Sequence, residues 1–173
     1  MIVWLIGLSG AGKTTVGRLL HDRLKPGRPG LVFLDGDILR EVWGEDVGHT
    51  IEGRRLNAHR ISHLCRLLDQ QGIDVIAAVL SMFPEWQAWN RANFEHYFEV
   101  FLDVPMATLR ARDSKRLYAR AESGDLPNVV GVDLEFPRPA NPDLVIEGED
   151  VAHPAAEIAD MIAARLPGGA TPT

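Results

Sequence analysis

The sequence predicts an α/β fold in which a parallel five-stranded sheet lies between two helical layers, a three-layer sandwich. Short apolar segments alternate along the chain with segments of helical periodicity, which is the pattern of strands joined by crossover helices. The apolar segments are continuous rather than alternating with polar residues, as expected for strands buried on both faces. The 173 residues are 46% apolar and 24% charged, which fits one ordinary globular domain.

The strands are predicted from these short apolar runs. In chain order they are 2–6, 31–34, 73–80, 98–102 and 144–146. Right-handed crossovers bring the carboxyl ends of parallel strands to one edge of the sheet, so we expect the chemistry to lie there. Asp35, Ser81 and Asp103 directly follow three of these strands.

Helices are predicted between the strands, each with one apolar face. The first follows a glycine loop, and its apolar face comprises Val16, Leu19, Leu20 and Leu24. A long helix, about Glu52–Gln71, has a stripe of Ile61, Leu64, Leu67 and Leu68. Three shorter helices are also predicted: one follows Pro84, one begins at Pro105, and the last extends from about Pro154 to Leu166.

Composition excludes several classes of protein. One cysteine cannot form an internal disulfide, and no run of 18 apolar residues exists to span a membrane. The apolar N-terminal segment lacks a basic region and continues into a glycine loop, so it reads as a strand rather than a signal peptide. A net charge of −6 argues against a nucleic-acid partner. We therefore expect a cytoplasmic single domain over residues 1–167, with a flexible tail at 168–173.

The segment Gly7-Leu8-Ser9-Gly10-Ala11-Gly12-Lys13-Thr14 matches the phosphate-loop motif G-x-x-x-x-G-K-[ST]. It lies between an apolar strand and an amphipathic helix, the context that a P-loop NTPase fold requires. We expect Lys13 to reach the β and γ phosphates of ATP and the Thr14 hydroxyl to help hold Mg²⁺. The predicted nucleotide-binding residues are Gly7, Ser9, Gly10, Ala11, Gly12, Lys13, Thr14 and Thr15. The motif alone does not identify the phosphate acceptor, but the short chain favours a small-molecule kinase.

Two aspartates flank a glycine after the second strand, in Asp35-Gly36-Asp37. A kinase with a hydroxyl acceptor needs a carboxylate that orients the hydroxyl and accepts its proton, and it needs negative charge near Mg²⁺. Asp35 and Asp37 meet both needs, although a turn in which Asp37 caps a helix over 38–43 is the structural alternative. The residues alone leave open which aspartate is the base.

The chain resembles the adenylylsulfate kinase family, whose members phosphorylate the 3′-hydroxyl of adenosine 5′-phosphosulfate with MgATP. The resemblance covers about residues 2–147 and begins with the phosphate loop and Leu34-Asp35-Gly36-Asp37. It continues in Arg54-Arg55-Leu56-Asn57-Ala58-His59-Arg60, which is similar to an R-x-x-N-x-x-R helix of the family. The segment Arg112-Asp113-Ser114-Lys115-Arg116-Leu117-Tyr118, followed by Gly131-Val132-Asp133, is similar to the family's lid.

This resemblance implies roles for the matching residues. Asp37 would be the base, with Asp35 nearer the metal, and Lys13 and Lys115 would complete the catalytic set. Arg40, Arg54 and Asn57 would bind the 5′ substituent of the acceptor. Arg112 and Lys115 would lie in a lid, about 112–135, that covers the donor. The other predicted acceptor contacts are His49, Ser81 and Phe83.

The chain departs from the family in the base pocket of the acceptor. Family members have two phenylalanines that stack on adenine, where this sequence has His49 and Val129. An I-S-P-Y-R stretch reads Leu80-Ser81-Met82-Phe83-Pro84 here, so its arginine is absent. Each lost stack costs about 1–3 kcal/mol. The resemblance therefore leaves two acceptors open, namely adenylylsulfate and a pyrimidine nucleotide such as cytidine diphosphoramidate.

Other residues are given structural interpretations. His59 and His63 lack a third metal ligand, Cys65 reads as a buried apolar residue, and Trp86 and Trp89 read as core or dimer packing. A homodimer is expected. A nucleotide-binding module without turnover and a kinase of a sugar or drug remain as alternative functions.

Overall fold

The computed structural model of the chain describes residues 1–44, 47–113 and 116–167. Its centre is a parallel five-stranded sheet with the strand order β2-β3-β1-β4-β5. The strands are β1 (Ile2–Ile6), β2 (Val32–Asp35), β3 (Val75–Val79), β4 (Tyr97–Leu102) and β5 (Leu144–Ile146). The predicted α/β fold and its five strands are confirmed, with ends that differ by one or two residues.

Helices connect and cover the strands. They are α1 (Lys13–Leu24), α2 (Gly36–Trp43), α3 (Ile51–Gln70), α4 (Pro84–Asn93), α5 (Met106–Ala111), α6 (Leu117–Glu122) and α7 (Ala155–Arg165), with a 3-10 helix at Gly148–Ala152. Pro105 is the N-cap of α5 rather than its first residue. Within the described ranges, no helix is long and apolar enough to cross a membrane.

A separate hydrophobic core covers each face of the sheet. Val3 and Leu5 point into the core shared with α1, α5 and α7, whereas Ile2, Trp4 and Ile6 point into the core shared with α3. All five residues of β1 are buried because this strand lies between β3 and β4 in the middle of the sheet. The phosphate loop that follows β1 therefore begins on one of the most buried segments of the chain.

Two leucines assigned to apolar faces are exposed. Leu19 on α1 is 38% exposed and Leu67 on α3 is 54% exposed. Helix α1 packs on the sheet through Gly17, where a Cβ would come within 2.6 Å of the Phe33 ring, and this close contact turns Leu19 outward. The buried face of α3 instead passes through polar residues such as Asn57, because it borders the site described next.

Candidate active site

A cavity of about 720 Å³ opens at the carboxyl edge of the sheet. It brings together most of the predicted site residues: Ser9, Gly10, Gly12, Lys13, Thr14, Thr15, Asp35, Asp37, Arg40, His49, Arg54, Asn57, Ser81, Phe83 and Arg112. Gly7 and Ala11 do not line it and are buried behind the loop. Lys115 lies outside the described residues.

The phosphate loop has the backbone geometry of an anion site. Gly10 and Gly12 have φ of 80° and 91°, a region that glycine adopts without strain. Gly12 caps α1, so the positive end of this 12-residue helix faces the loop. The Lys13 ammonium donates a hydrogen bond to the Leu8 carbonyl oxygen over 2.9 Å, which keeps the side chain folded over the loop.

Asp35 joins the phosphate loop to the start of α2. Its Oδ2 accepts a hydrogen bond from the Thr14 hydroxyl at 2.6 Å, and its Oδ1 accepts from the backbone N–H groups of Asp37 and Ile38. Asp35, rather than Asp37, is therefore the helix cap. Gly36 permits this join because a Cβ there would lie 3.3 Å from the Ala78 carbonyl oxygen.

Thr14 and Asp35 fit a magnesium ion by their chemistry. Mg²⁺ prefers hard oxygen ligands and is usually held by one or two side chains together with phosphates and water. The two oxygens lie 2.6 Å apart beside the loop. The described residues contain no group of three or more His, Cys, Asp or Glu that could hold a metal alone, so this pair would depend on a bound phosphate to complete the site.

The Asp37 carboxylate is available for chemistry. Its side chain is exposed on the cavity wall, and no described residue donates a hydrogen bond to it. This contrasts with Asp35, which is 8% exposed and has both oxygens engaged. Of the two aspartates, Asp37 is therefore the one whose carboxylate receives no hydrogen bond from the described residues.

Two arginines form a positive wall opposite the phosphate loop. Arg40 donates to the carbonyl oxygens of Val47 and Gly48, at 2.9 and 2.7 Å, and its buried Nε has no acceptor among the described residues. Arg54 donates to the carbonyl oxygens of His49, at 3.0 Å, and Asn128, at 2.8 Å. Within the described ranges, no carboxylate lies within ion-pair distance of either guanidinium group.

The electrostatics of this wall favour an anionic ligand. Burial lowers the pKa of both guanidinium groups, and the charge of Arg40 lowers that of Arg54 further. Arginine nevertheless remains charged at neutral pH. Partial desolvation lowers the pKa of His49, and the neighbouring charges of Arg40 and Arg54 lower it further, whereas the charge of Asp37 raises it. The wall thus carries two positive charges that an anion would neutralise.

Asn57, Ser81 and Phe83 complete the acceptor side of the cavity. Asn57 is 7% exposed, and its Oδ1 has no donor among the described residues. Ser81 follows β3 in a left-handed conformation. Phe83 is buried, and the Arg55 guanidinium carbon lies 4.5 Å from the centre of its ring, so one face of this ring is already covered.

The two positions that replace the family's phenylalanines lie in different environments. His49 is exposed and lines the cavity. The loop that carries His49 packs closely on α3 at Gly53, where a Cβ would lie 2.6 Å from the Gly48 carbonyl oxygen. Val129 is 3% exposed, packs in the core and does not line the cavity. Of these two positions, His49 therefore lies on the cavity wall and Val129 does not.

Part of the predicted lid is attached to the phosphate loop. The buried Tyr118 hydroxyl donates to the Ser9 carbonyl oxygen at 2.6 Å, and burial raises the pKa of Tyr118 to about 12. The Asp113 carboxylate caps α6 by accepting from the backbone N–H groups of residues 117–119. Sequence reasoning missed both contacts, because Arg116 rather than Asp113 directly precedes α6 and Ser9 is 109 residues from Tyr118. Arg112 donates to the Val151 carbonyl oxygen at 3.4 Å.

Comparisons with known proteins identify the family of this chain. The family model described as adenylylsulphate kinase matches residues 1–147. The chain belongs to the adenylylsulphate kinase family. An adenylyl-sulfate kinase of Paraburkholderia xenovorans is 41% identical over 168 residues, covering 95% of this chain and 92% of the relative. A cytidine diphosphoramidate kinase of Campylobacter jejuni is 41% identical over 145 residues, covering 84% of each chain.

A solved structure extends the comparison with the adenylylsulphate kinase family. The Mycobacterium tuberculosis APS kinase in complex with AMPPNP and APS superposes with a TM-score of 0.85 at 34% identity, covering 95% of each chain. The family's P-loop kinase fold is thereby confirmed. As a member of this family, the chain is a phosphotransferase that acts on a hydroxyl group.

Cys65 and the pair His59 and His63 are given structural interpretations by the sequence. Cys65 is buried, and burial raises its pKa to about 12, so it behaves as an apolar core residue. His63 stacks on the Trp89 ring, whereas His59 contacts the Trp86 ring edge-on and is tilted against His63. Trp86 also reaches the rim of the cavity.

Proposed function

We propose that this protein transfers the γ-phosphoryl group of MgATP to the 3′-hydroxyl of a nucleotide with an anionic 5′ substituent, with adenylyl sulfate as the acceptor. The observation that carries the proposal is the arrangement of Asp37 in one cavity with the phosphate loop and the wall of Arg40 and Arg54. The loop suits the donor phosphates, and the arginines suit a second anion. Asp37 can then orient the acceptor hydroxyl and accept its proton.

On the donor side, Lys13 and the loop N–H groups would bind the ATP phosphates, and Thr14 and Asp35 would hold Mg²⁺. The bound ion would neutralise charge on the phosphates. Arg112 and Lys115 would cover the donor, with α6 held against the loop by the Tyr118 hydrogen bond to Ser9. Closure over both substrates would exclude water, which otherwise competes as the phosphate acceptor.

On the acceptor side, Arg40, Arg54 and Asn57 would bind the 5′ substituent. The guanidinium groups are held by backbone carbonyls rather than by direct ion pairs with carboxylates, so they are oriented without a bound counter-charge. Such preorganised cations favour a sulfate or phosphate oxygen over a neutral sugar. This argues against the alternative of a sugar or drug kinase.

A second acceptor is favoured by the base side of the cavity. A purine sandwich needs two aromatic walls, whereas His49 replaces one ring and Val129 is buried in the core. Phe83 has a single ring, and Arg55 covers one of its faces, so it can supply at most one of the two walls. A pyrimidine nucleotide such as cytidine diphosphoramidate requires less stacking area and is the second candidate.

The test is acceptor-dependent release of ADP from ATP and Mg²⁺ by the purified chain. Adenylyl sulfate, cytidine diphosphoramidate and no acceptor are compared at equal concentrations, and the product is analysed for a 3′-phosphate. A kcat/KM at least 10-fold higher for one acceptor identifies the substrate. ADP release that no nucleotide stimulates would refute the proposal and favour a binding module or another acceptor.

We also propose that the protein acts as a cytoplasmic homodimer. Sedimentation analysis over a range of concentrations tests the dimer, and a constant monomer mass would contradict it.

A further inference from the structure

The backbone at Ser81 is held in an unusual conformation at the cavity wall. Ser81 lies two residues beyond the end of β3 and has φ of 53°. A residue with a Cβ adopts this region only where its surroundings fix it, and such residues cluster at functional sites. In the described parts of the chain, the other non-glycine residues with positive φ are Arg116, just before α6, and Asn128, which accepts from Arg54. Of the three residues, Ser81 is the one that lines the cavity.

Two buried side chains from different elements hold Ser81. Trp4 on β1 is 2% exposed, and its indole N–H donates to Ser81 Oγ at 3.1 Å. Gln87 on α4 is 6% exposed, and its side-chain amide donates to the Ser81 carbonyl oxygen at 2.7 Å. The indole N–H is the only donor of a tryptophan side chain, and a buried donor without an acceptor is costly. Trp4 therefore fixes the position of the Ser81 oxygen.

This arrangement leaves the Ser81 hydroxyl proton available. The oxygen accepts from Trp4, and no described residue accepts the Ser81 O–H. Ser81 lines the same cavity as Asp37, Arg54 and Asn57, the acceptor side of the site. We propose that Trp4 and Gln87 are positioning residues that hold the Ser81 hydroxyl as a hydrogen-bond donor to an oxygen of the acceptor nucleotide. This inference rests on the proposed function.

A double-mutant cycle tests whether Trp4 acts through Ser81. The variants are Trp4→Phe, Ser81→Gly and both together, and glycine is chosen because it tolerates the left-handed backbone. We expect Trp4→Phe to lower kcat/KM for the acceptor about 5- to 10-fold, the effect of one hydrogen bond, with KM for ATP unchanged. In the Ser81→Gly background the same change should alter acceptor kcat/KM less than about 2-fold.

Matched controls separate this effect from packing. Trp43→Phe removes the same ring area and an indole N–H that has no acceptor among the described residues, so it should leave acceptor kcat/KM unchanged. Gln87→Met tests the second contact and serves if Trp4→Phe does not fold. Its control is Gln71→Met, which removes an exposed side-chain donor to the Leu67 carbonyl oxygen.

The outcomes distinguish the inference from the proposed function. Suppose that the unaltered chain turns over the acceptor. If the loss of kcat/KM from Trp4→Phe is then equal in both backgrounds, or is matched by Trp43→Phe, the inference is overturned and the proposed function stands. A loss confined to KM for ATP overturns the inference as well. If the unaltered chain shows no acceptor-dependent release of ADP, the proposed function fails and the inference fails with it.

Discussion

Replacing Asp37 with asparagine should separate chemistry from binding and stability. The change keeps the shape of the side chain but removes the proton acceptor, which contributes typically 10²–10⁴-fold to rate, or about 3–5 kcal/mol of the barrier. Because Asp37 is exposed and its carboxylate receives no hydrogen bond from the described residues, the free energy of unfolding should change by less than about 0.5 kcal/mol. We therefore expect kcat to fall by about 10²–10⁴-fold, with Tm and KM for ATP nearly unchanged.

The assay is steady-state ADP release with saturating acceptor, combined with thermal unfolding of each variant. Glu41→Gln is the matched control, because Glu41 is an exposed carboxylate on the same helix and the same cavity rim, one turn further on. It tests the loss of negative charge alone, and its kcat should remain within about 3-fold of the unaltered chain.

Asp35 provides the opposite case. Asp35→Ala removes a helix cap and the partner of the Thr14 hydroxyl, so it should also lower stability by about 1–3 kcal/mol. If Asp37→Asn retains kcat within 3-fold, or loses no more than Glu41→Gln, the assignment of Asp37 as the base is refuted and Asp35 becomes the better candidate.

Three further predictions concern the donor loop, the base pocket and the core. Lys13→Ala should abolish phosphoryl transfer while far-UV circular dichroism and Tm are retained, and near-normal turnover would contradict the role of this lysine in stabilising phosphate charge. His49→Phe should raise kcat/KM for adenylyl sulfate relative to cytidine diphosphoramidate about 5-fold or more, because it adds one stacking ring. Val129→Phe should instead lower the free energy of unfolding by about 1–3 kcal/mol, because it overpacks a position that is 3% exposed. A selectivity gain from Val129→Phe without loss of stability would contradict that placement. Cys65 should resist thiol reagents in the folded protein. Its contribution to stability should be fully present below its ordinary pKa of 9.0 and should decline as the pH rises towards 12, because in that range the Cys65 thiol is deprotonated in the unfolded chain but not in the folded one. Rapid labelling at pH 8 would contradict its burial.

The sheet was predictable because its strands are continuous apolar runs separated by clear turn signals. Five buried residues in β1 and five in β3 leave no ambiguity about which segments form the centre. The exposed position of Leu19 could not be predicted, because periodicity defines an apolar face without showing that α1 approaches the sheet at Gly17. Nothing in the sequence pattern distinguishes Leu67 from the buried positions of α3. The 3-10 helix at Gly148–Ala152 has no distinctive apolar pattern.

The parts of the candidate site that could be predicted are those in which a short local motif carries one chemical role. The phosphate loop and the two aspartates are local motifs, and the strand order brings them together. The roles of Trp4 and Tyr118 were not predictable, since each reads as an apolar core residue until its partner is known. Their partners, Ser81 and Ser9, are 77 and 109 residues away in the sequence, so only the fold reveals these contacts.

The strand order β2-β3-β1-β4-β5 also divides the proposed contacts to the two substrates between the two halves of the sheet. The proposed acceptor contacts follow β2 and β3, on α2, α3 and the segment 80–83, whereas the proposed donor contacts follow β1 and β4. Asp35 connects the two halves, because its carboxylate accepts a hydrogen bond from the Thr14 hydroxyl. Altering α3 and the segment 80–83 should therefore change the acceptor while the phosphate loop and the two aspartates are left as they are.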